Sequence, residues 1–202
     1  MKRRHAMPFG AEYLGGGRTR FRLWAPAVEN IVVELVTDRG ESAHPMTAAA
    51  GGWFECVAAA PPGARYRYRL PDGQAVPDPA SRFSPGDVHG HSAVVDPEAY
   101  EWRDGRWRGR PWHETVIYEL HVGAATPEGT YAALEQRLDH LASLGVTAVE
   151  LMPLAVFPGP RNWGYDGVLP YAPDATYGAP EDLKRLVDAA HARGLMVFLD
   201  VV

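Results

Sequence analysis

Polar and apolar positions alternate in short runs through the first seventy residues. Residues 18–24 read Arg-Thr-Arg-Phe-Arg-Leu-Trp, the period of a half-buried strand. Residues 30–37 are rich in β-branched side chains, and residues 53–58 form a third run that contains Cys56. Residues 65–70 place Tyr66, Tyr68 and Leu70 on one face and Arg65, Arg67 and Arg69 on the other. Ala25-Pro26, Asp38-Arg39-Gly40, Pro61-Pro62-Gly63 and Pro71-Asp72-Gly73 punctuate these runs as turns. Short strands with Pro/Gly turns predict an immunoglobulin-like β-sandwich of antiparallel sheets over residues 1–96. Residues 97–112, polar and rich in Gly and Trp, predict a linker.

The period changes over residues 113–202. Residues 115–121 are strand-like. Residues 131–144 carry Leu134, Leu138, Leu141 and Leu144 at helical spacing, with Thr130 placed to cap the start and Gly145 to end it. Residues 146–153 predict a second strand and residues 180–193 a second helix. That helix has Pro180 in its first turn and Glu181 and Asp182 where the dipole favours acids. Residues 195–202 predict a third, almost wholly apolar strand. Apolar strands alternating with helices imply a parallel sheet covered on its faces, here three strands and two helices. Three such strands leave an open apolar edge, which folded proteins avoid. The expectation is therefore that the chain is the front part of a longer protein.

Composition narrows the class. The net charge of -5 argues against a nucleic-acid or anionic-membrane surface. One cysteine excludes an intrachain disulfide and a cysteine metal site, and fits a reducing, cytoplasmic location. No apolar run approaches the roughly 20 residues that span a bilayer. The Arg65/Arg67/Arg69 face reads as a solvated strand face rather than an anion strip. His89 and His91, two apart with no helix to place them, do not read as a metal site.

Candidate chemistry gathers in the second half. Residues 154–179 are far longer than the usual connection of about 2–6 residues in an α/β unit. They carry Phe157, Trp163, Tyr165, Tyr171 and Tyr177. Such aromatics can stack on the apolar face of a sugar ring, or can pack the segment onto the barrel. Glu119, His121, Glu150 and Asp200 fall inside apolar strands, where unpaired charges are rare. They could meet as a paired-carboxylate hydrolase site or as a polar cluster stitching the strands. The residues alone leave both pairs of readings open.

The motifs together resemble a known family. Tyr118-Glu-Leu-His-Val-Gly123, Thr126-Pro-Glu-Gly-Thr130, Ala148-Val-Glu-Leu-Met-Pro153, Asn162-Trp-Gly-Tyr-Asp-Gly167, Tyr177-Gly-Ala-Pro-Glu-Asp-Leu183 and Asp200-Val-Val202 resemble the front of the (β/α)₈ TIM barrel of the α-amylase superfamily. The similarity is greatest to its malto-oligosyltrehalose trehalohydrolase branch. Phe21-Arg-Leu-Trp-Ala-Pro26 and Val76-Pro-Asp-Pro-Ala-Ser-Arg82 resemble the carbohydrate-binding-module-like sandwich before that barrel. The resemblance implies a retaining glycoside hydrolase that cleaves the α-1,4-glucosidic bond next to a terminal trehalose unit. The family carries its Asp nucleophile and Glu acid/base after later strands, so both are expected beyond Val202, and this chain alone is expected to be inactive. Tyr165 matches the family's stacking tyrosine, with Trp163 and Asp166 beside it as substrate-binding residues. Asp200, Glu119, His121 and Glu150 are expected to order the site. An α-1,4-glucan or maltooligosyl trehalose is the implied partner, with no metal or organic cofactor. A glycogen-branching enzyme is the alternative within the superfamily, and a non-catalytic α-glucan-binding protein the alternative outside it.

Overall fold

A computed structural model describes residues 1–3 and 5–202 and divides them into two units. One unit spans His5–Pro97. Its strands are β1 (Gly10–Gly15), β2 (Arg18–Trp24), β3 (Val32–Thr37), β4 (Gly40–Pro45), β5 (Thr47–Ala49), β6 (Trp53–Ala59), β7 (Arg65–Arg69), β8 (Ala75–Val76) and β9 (Ser92–Ala93). Antiparallel pairing gives one sheet in the order β1-β2-β6-β5 and another in the order β4-β3-β7-β8, with β9 on β7. Phe21, Leu23 and Phe54 of the first sheet share a core with Val33, Leu35, Tyr66 and Tyr68 of the second. These are the inward positions that the alternation predicts, and they make the unit a β-sandwich. Sequence reading misses β1, β4 and β5. Every residue of β5, and all but one of β4, is exposed, so neither carries the one-sided burial that produces alternation.

One polar feature departs from expectation, and a second lies in the core. Arg67 and Arg69 do not stand free in solvent: Arg67 Nε donates to Glu34 at 2.8 Å, and Arg69 Nε takes the other carboxylate oxygen. Glu34 is the cross-strand register partner of Arg67, so the strand pairing itself aligns the ion pair. The bond from Arg69, then that from Arg67, holds the Glu34 carboxyl below its ordinary range. In the core, Tyr66 Oη donates to Asp78 at 2.7 Å, Tyr68 Oη reaches the same oxygen at 3.5 Å, and Ala80 N donates to the other at 2.8 Å. All three side chains are buried. A buried charge needs such partners.

The other unit spans Glu98–Val202 and includes residues 1–3. Its elements are β10 (Ile117–Leu120), α1 (Val122–Ala125), α2 (Tyr131–Glu135), α3 (Leu138–Ser143), β11 (Ala148–Leu151), β12 (Ala155–Val156), β13 (Leu169–Pro173), α4 (Pro180–Ala192) and β14 (Met196–Leu199). β10, β11 and β14 form a parallel sheet in that order. Leu120, Val149 and Leu151 pack with Leu134, Leu138, Leu141, Leu186 and Ala190 of the helices. The opposite sheet face carries Glu119, Glu150 and Phe198, which are register partners.

The single helix expected over residues 131–144 is broken. Gln136 N and Arg137 N bond three residues back, to Ala133 and Leu134, a tightened turn that ends α2. Each half is then tied to α4, through Glu135–Arg185 and Asp139–Arg193. Leu134, Leu138 and Leu141 stay buried, but Leu144 lies past the helix end and is 59% exposed. Thr130 Oγ1 accepts from Ala133 N at 3.2 Å, the expected cap. The third strand ends at Leu199, three residues before Val202, although Asp200 N still donates to Leu151 O.

Residues 98–112 belong to this second unit and are tied to α4. Tyr100 Oη donates to Asp188 at 2.9 Å. Asp104, nearly fully buried, accepts from Arg3 Nη2 at 2.6 Å and lies 2.8 Å from His191 Nδ1. Trp107 stacks on the His191 ring at 4.7 Å.

Asp78 generates a testable expectation. Replacing it with Ala orphans two phenols and a backbone N–H, and should destabilise the sandwich by about 3 kcal/mol. Desolvation raises the Asp78 carboxyl above its ordinary value of 3.8, against its hydrogen bonds. An acid with a raised folded-state pKa contributes stability below its unfolded value and loses that contribution as pH rises through the folded value. Wild type should therefore gain on Asp78→Asn between pH 7 and pH 4. Urea melts at the two pH values check this, and a gap that narrows toward acid would contradict it.

Candidate functional site

The strand register sets out the site in layers. Side chains two apart on a strand share a face. Above the Glu119–Glu150–Phe198 row, the next positions on that face are His121, Met152 and Asp200, at or just past the carboxyl ends of the strands. The long connection over residues 154–179 is not a plain loop. It contains the β12–β13 antiparallel pair, and Asp174 fastens its base. Asp174 is buried, accepts from Phe157 N at 3.1 Å, and accepts from Thr176 N and Oγ1 at 2.8 and 2.7 Å.

Two groups form on this scaffold. In the first, Tyr165 Oη donates to Asp200 Oδ2 at 2.7 Å while its ring stays 53% exposed. The bond to Asp200 raises the phenol above its ordinary pKa, followed by desolvation and by the charges of Asp200, Glu119 and Glu150. Those three carboxylates are therefore electrostatic neighbours of one tyrosine. In the second, His121 Nε2 lies 3.1 Å from Asn162 Oδ1, and Asn162 Nδ2 donates to Tyr177 Oη at 3.3 Å. Asn162 Oδ1 also accepts from Gly164 N. Tyr177 meets His121 edge-on at 6.0 Å. His121 thus serves the loop through Asn162. Its Nδ1 is buried without a hydrogen-bond partner among the described residues.

Trp163 and Asp166 shape the tip of the loop. Asp166 Oδ2 accepts from Trp163 N at 3.1 Å and closes a tight turn. The Trp163 side chain is 90% exposed. Gly164 adopts a φ of 108°, a backbone that side-chain-bearing residues avoid, and it packs against Met152 and His121. His121, Asn162, Trp163, Thr176 and Tyr177 line a cleft of about 670 Å³. Sequence reasoning quoted Asn162 within a motif without a role and passed over Asp174; of its two readings for the loop aromatics, Tyr177, buried in the core, takes the packing one. The short polar run around Asn162, two before Gly164, was the available signal.

The arrangement offers exposed aromatic faces beside carboxylates, an amide and an imidazole, all at one end of a parallel sheet. Flat apolar faces rimmed by hydrogen-bonding groups suit a sugar ring. Among the described residues no cluster of three or more His, Cys, Asp or Glu could hold a metal ion, and no helix is long and apolar enough to cross a membrane.

Such a sandwich followed by the opening of a strand–helix barrel, with its polar residues at the strand ends, defines a class of carbohydrate-active protein. The sequence profile of the alpha amylase catalytic domain matches residues 80–202, and this chain belongs to that family. The profile of carbohydrate-binding module 48, the isoamylase N-terminal domain, matches residues 8–97. Among individual proteins, the chain is 50% identical over 188 residues to a malto-oligosyltrehalose trehalohydrolase of Deinococcus radiodurans, covering 93% of this chain and 30% of the relative. It is 35% identical over 217 residues to a 1,4-alpha-glucan branching enzyme of Rubrobacter xylanophilus, covering 98% and 30%. A crystal structure described as that of a "putative alpha amylase" from Salmonella typhimurium superposes with a TM-score of 0.91 at 47% identity, covering 98% of this chain and 33% of that one. The chain thus spans about a third of the length of the relatives it matches.

The Tyr165–Asp200 contact can be tested without substrate. Asp200→Asn should bring one phenol back toward the ordinary tyrosine range. Ultraviolet titration of wild type and Asp200→Asn, with Tyr165→Phe to identify that phenol, reads the change. Identical curves for wild type and Asp200→Asn would rule out the contact.

Proposed function

We propose that this chain is the N-terminal portion of a retaining α-glucan hydrolase. The parent releases trehalose from maltooligosyl trehalose by cleaving the adjacent α-1,4-glucosidic bond. The observation that carries this reading is 50% identity to a trehalohydrolase over nearly the whole chain, against 35% to a branching enzyme. The geometry supports the same reading. Tyr165 is the platform for a glucosyl ring, its hydroxyl held by Asp200. Trp163 and Asp166 extend the binding surface at the loop tip. Asp200, Glu119 and Glu150 order the platform, and His121 orders the loop through Asn162.

Residues 5–97 act as an immunoglobulin-like sandwich and residues 98–202 as the opening of the (β/α)₈ barrel, with 98–112, expected as a linker, serving as a lead-in packed on α4. The Asp nucleophile and Glu acid/base required by retaining hydrolysis are assigned to no residue of this chain. The reaction calls for no cofactor, and the single free Cys56 fits a cytoplasmic location.

The test compares the whole gene product with residues 1–202 alone on maltooligosyl trehalose. Trehalose should appear only with the former, and Tyr165→Ala there should lower kcat/KM by about a hundredfold. Trehalose released by residues 1–202 alone would overturn the division of labour. New α-1,6 branch points in place of trehalose would identify a branching enzyme.

A further inference from the structure

The lead-in over residues 98–112 builds a cleft that the strand-end site does not use. Its volume is about 570 Å³, and Trp102, Arg103, Asp104, Arg106, Trp107 and His191 line it. All of these belong to the unit that holds α4. His191 lies in the last turn of α4, which leads back to the start of β14 at Met196. Tyr165 and Asp200 stand at the carboxyl ends of the strands, so the cleft lies at the opposite end of the sheet.

The frame of the cleft is fixed, but not all of its charges are used. Trp107 N donates to Asp104 O at 2.8 Å and closes a turn around Gly105 and Arg106. Arg108 Nη1 braces that turn by donating to the carbonyls of Gly105 at 3.0 Å and Trp107 at 2.9 Å. Arg103 N donates to the two Asp188 oxygens at 3.2 and 2.9 Å. The carboxylates of the floor are thereby already engaged, Asp188 by Arg103 N and Tyr100 Oη, and Asp104 by Arg3 and His191. The guanidiniums are the reverse case. Arg103 and Arg106 are exposed, and neither side chain has an ion-pair or hydrogen-bond partner among the described residues. Their backbones are pinned while their forks stay open, so the charge on offer to a ligand is positive.

The walls select the rest of the ligand. Trp102 has the Arg3 guanidinium 4.9 Å over its ring and Tyr100 edge-on at 5.1 Å, and Trp107 is stacked on His191. Each indole is held from within the fold and stays half-buried at the cleft. A guanidinium fork takes two oxygens of a phosphate at once. A phosphomonoester carries three such oxygens and nearly two charges, enough for two forks. An indole face takes a flat or apolar ring. A cleft of this volume suits a small molecule, and the net charge of -5 on the whole chain disfavours a long polyanion.

We propose that this cleft is a binding site for a phosphomonoester carried on a ring, with Arg103 and Arg106 taking the phosphate and Trp102 and Trp107 walling the ring. The site is separate from the strand-end aromatics and does not depend on the hydrolase reading.

The test is isothermal titration calorimetry of the whole gene product at low salt with AMP, glucose 6-phosphate and inorganic phosphate. At least one of the two esters should bind with a Kd at or below about 1 mM, about tenfold tighter than inorganic phosphate. Either order of the two esters supports the site: tighter AMP makes the ring a base, and tighter glucose 6-phosphate makes it a sugar. Arg103→Ala/Arg106→Ala should weaken the ester about tenfold or more, and Arg106→Lys, which keeps the charge without the fork, should fall between. Both side chains are exposed, so an unchanged thermal melt should show that the double variant keeps its fold. Absence of binding by both esters, inorganic phosphate binding as tightly as they do, or ester binding that survives the double substitution would overturn the proposal.

Discussion

The lateral register of β10, β11 and β14 is the constraint on which the rest of the second unit depends. Pairing Glu119 with Glu150 and Phe198 fixes which side chains share a row. A slip of one residue in β11 would send Glu150 into the helix-packed face and bring Val149 or Leu151 out of the core. The burial of Val149 and Leu151 therefore holds the carboxylates in place, although neither apolar side chain touches them in the hydrogen-bond sense. Core packing and site geometry are here one requirement expressed on two faces of one strand.

Above that row the loop is ordered by groups that each serve several partners. Asn162 joins an imidazole, a phenol and a backbone N–H, and Asp174 joins two backbone donors and a hydroxyl. This leaves the aromatic faces of Trp163 and Tyr165 outward while their backbone is held from below. A surface of this kind is pre-organised, so a ligand need not order it on binding.

Legibility in the sequence followed burial. β2, β6 and β7 stood out because each has one dry face, and α4 because Pro180, two acids and a spaced apolar stripe agree. β4 and β5, wet on both faces, left no pattern. The break at Gln136 and Arg137 was hidden because Leu134, Leu138 and Leu141 keep helical spacing across the tightened turn. At the site, Tyr165 and Asp200 were visible through their motifs. The roles of Asn162, Tyr177 and Asp174 were not, since they depend on partners well separated along the chain; His121 and Asn162 are 41 residues apart. Strand alternation places His121 on the face of the carboxylates, but its bond to the loop residue Asn162 was not legible.

Asp104 bears on how the chain comes to be assembled. Its two partners, Arg3 and His191, lie 101 residues before it and 87 after it. The sandwich segment His5–Pro97 is thus interposed between the first residues of the second unit and the remainder. As synthesis proceeds from the N-terminus, the sandwich can collapse on local pairings while residues 1–3 still lack their counterpart. The carboxylate at Asp104 gains both partners only after α4 has been made. The two units therefore mature in the order of their closure, which differs from the order in which their first residues leave the ribosome.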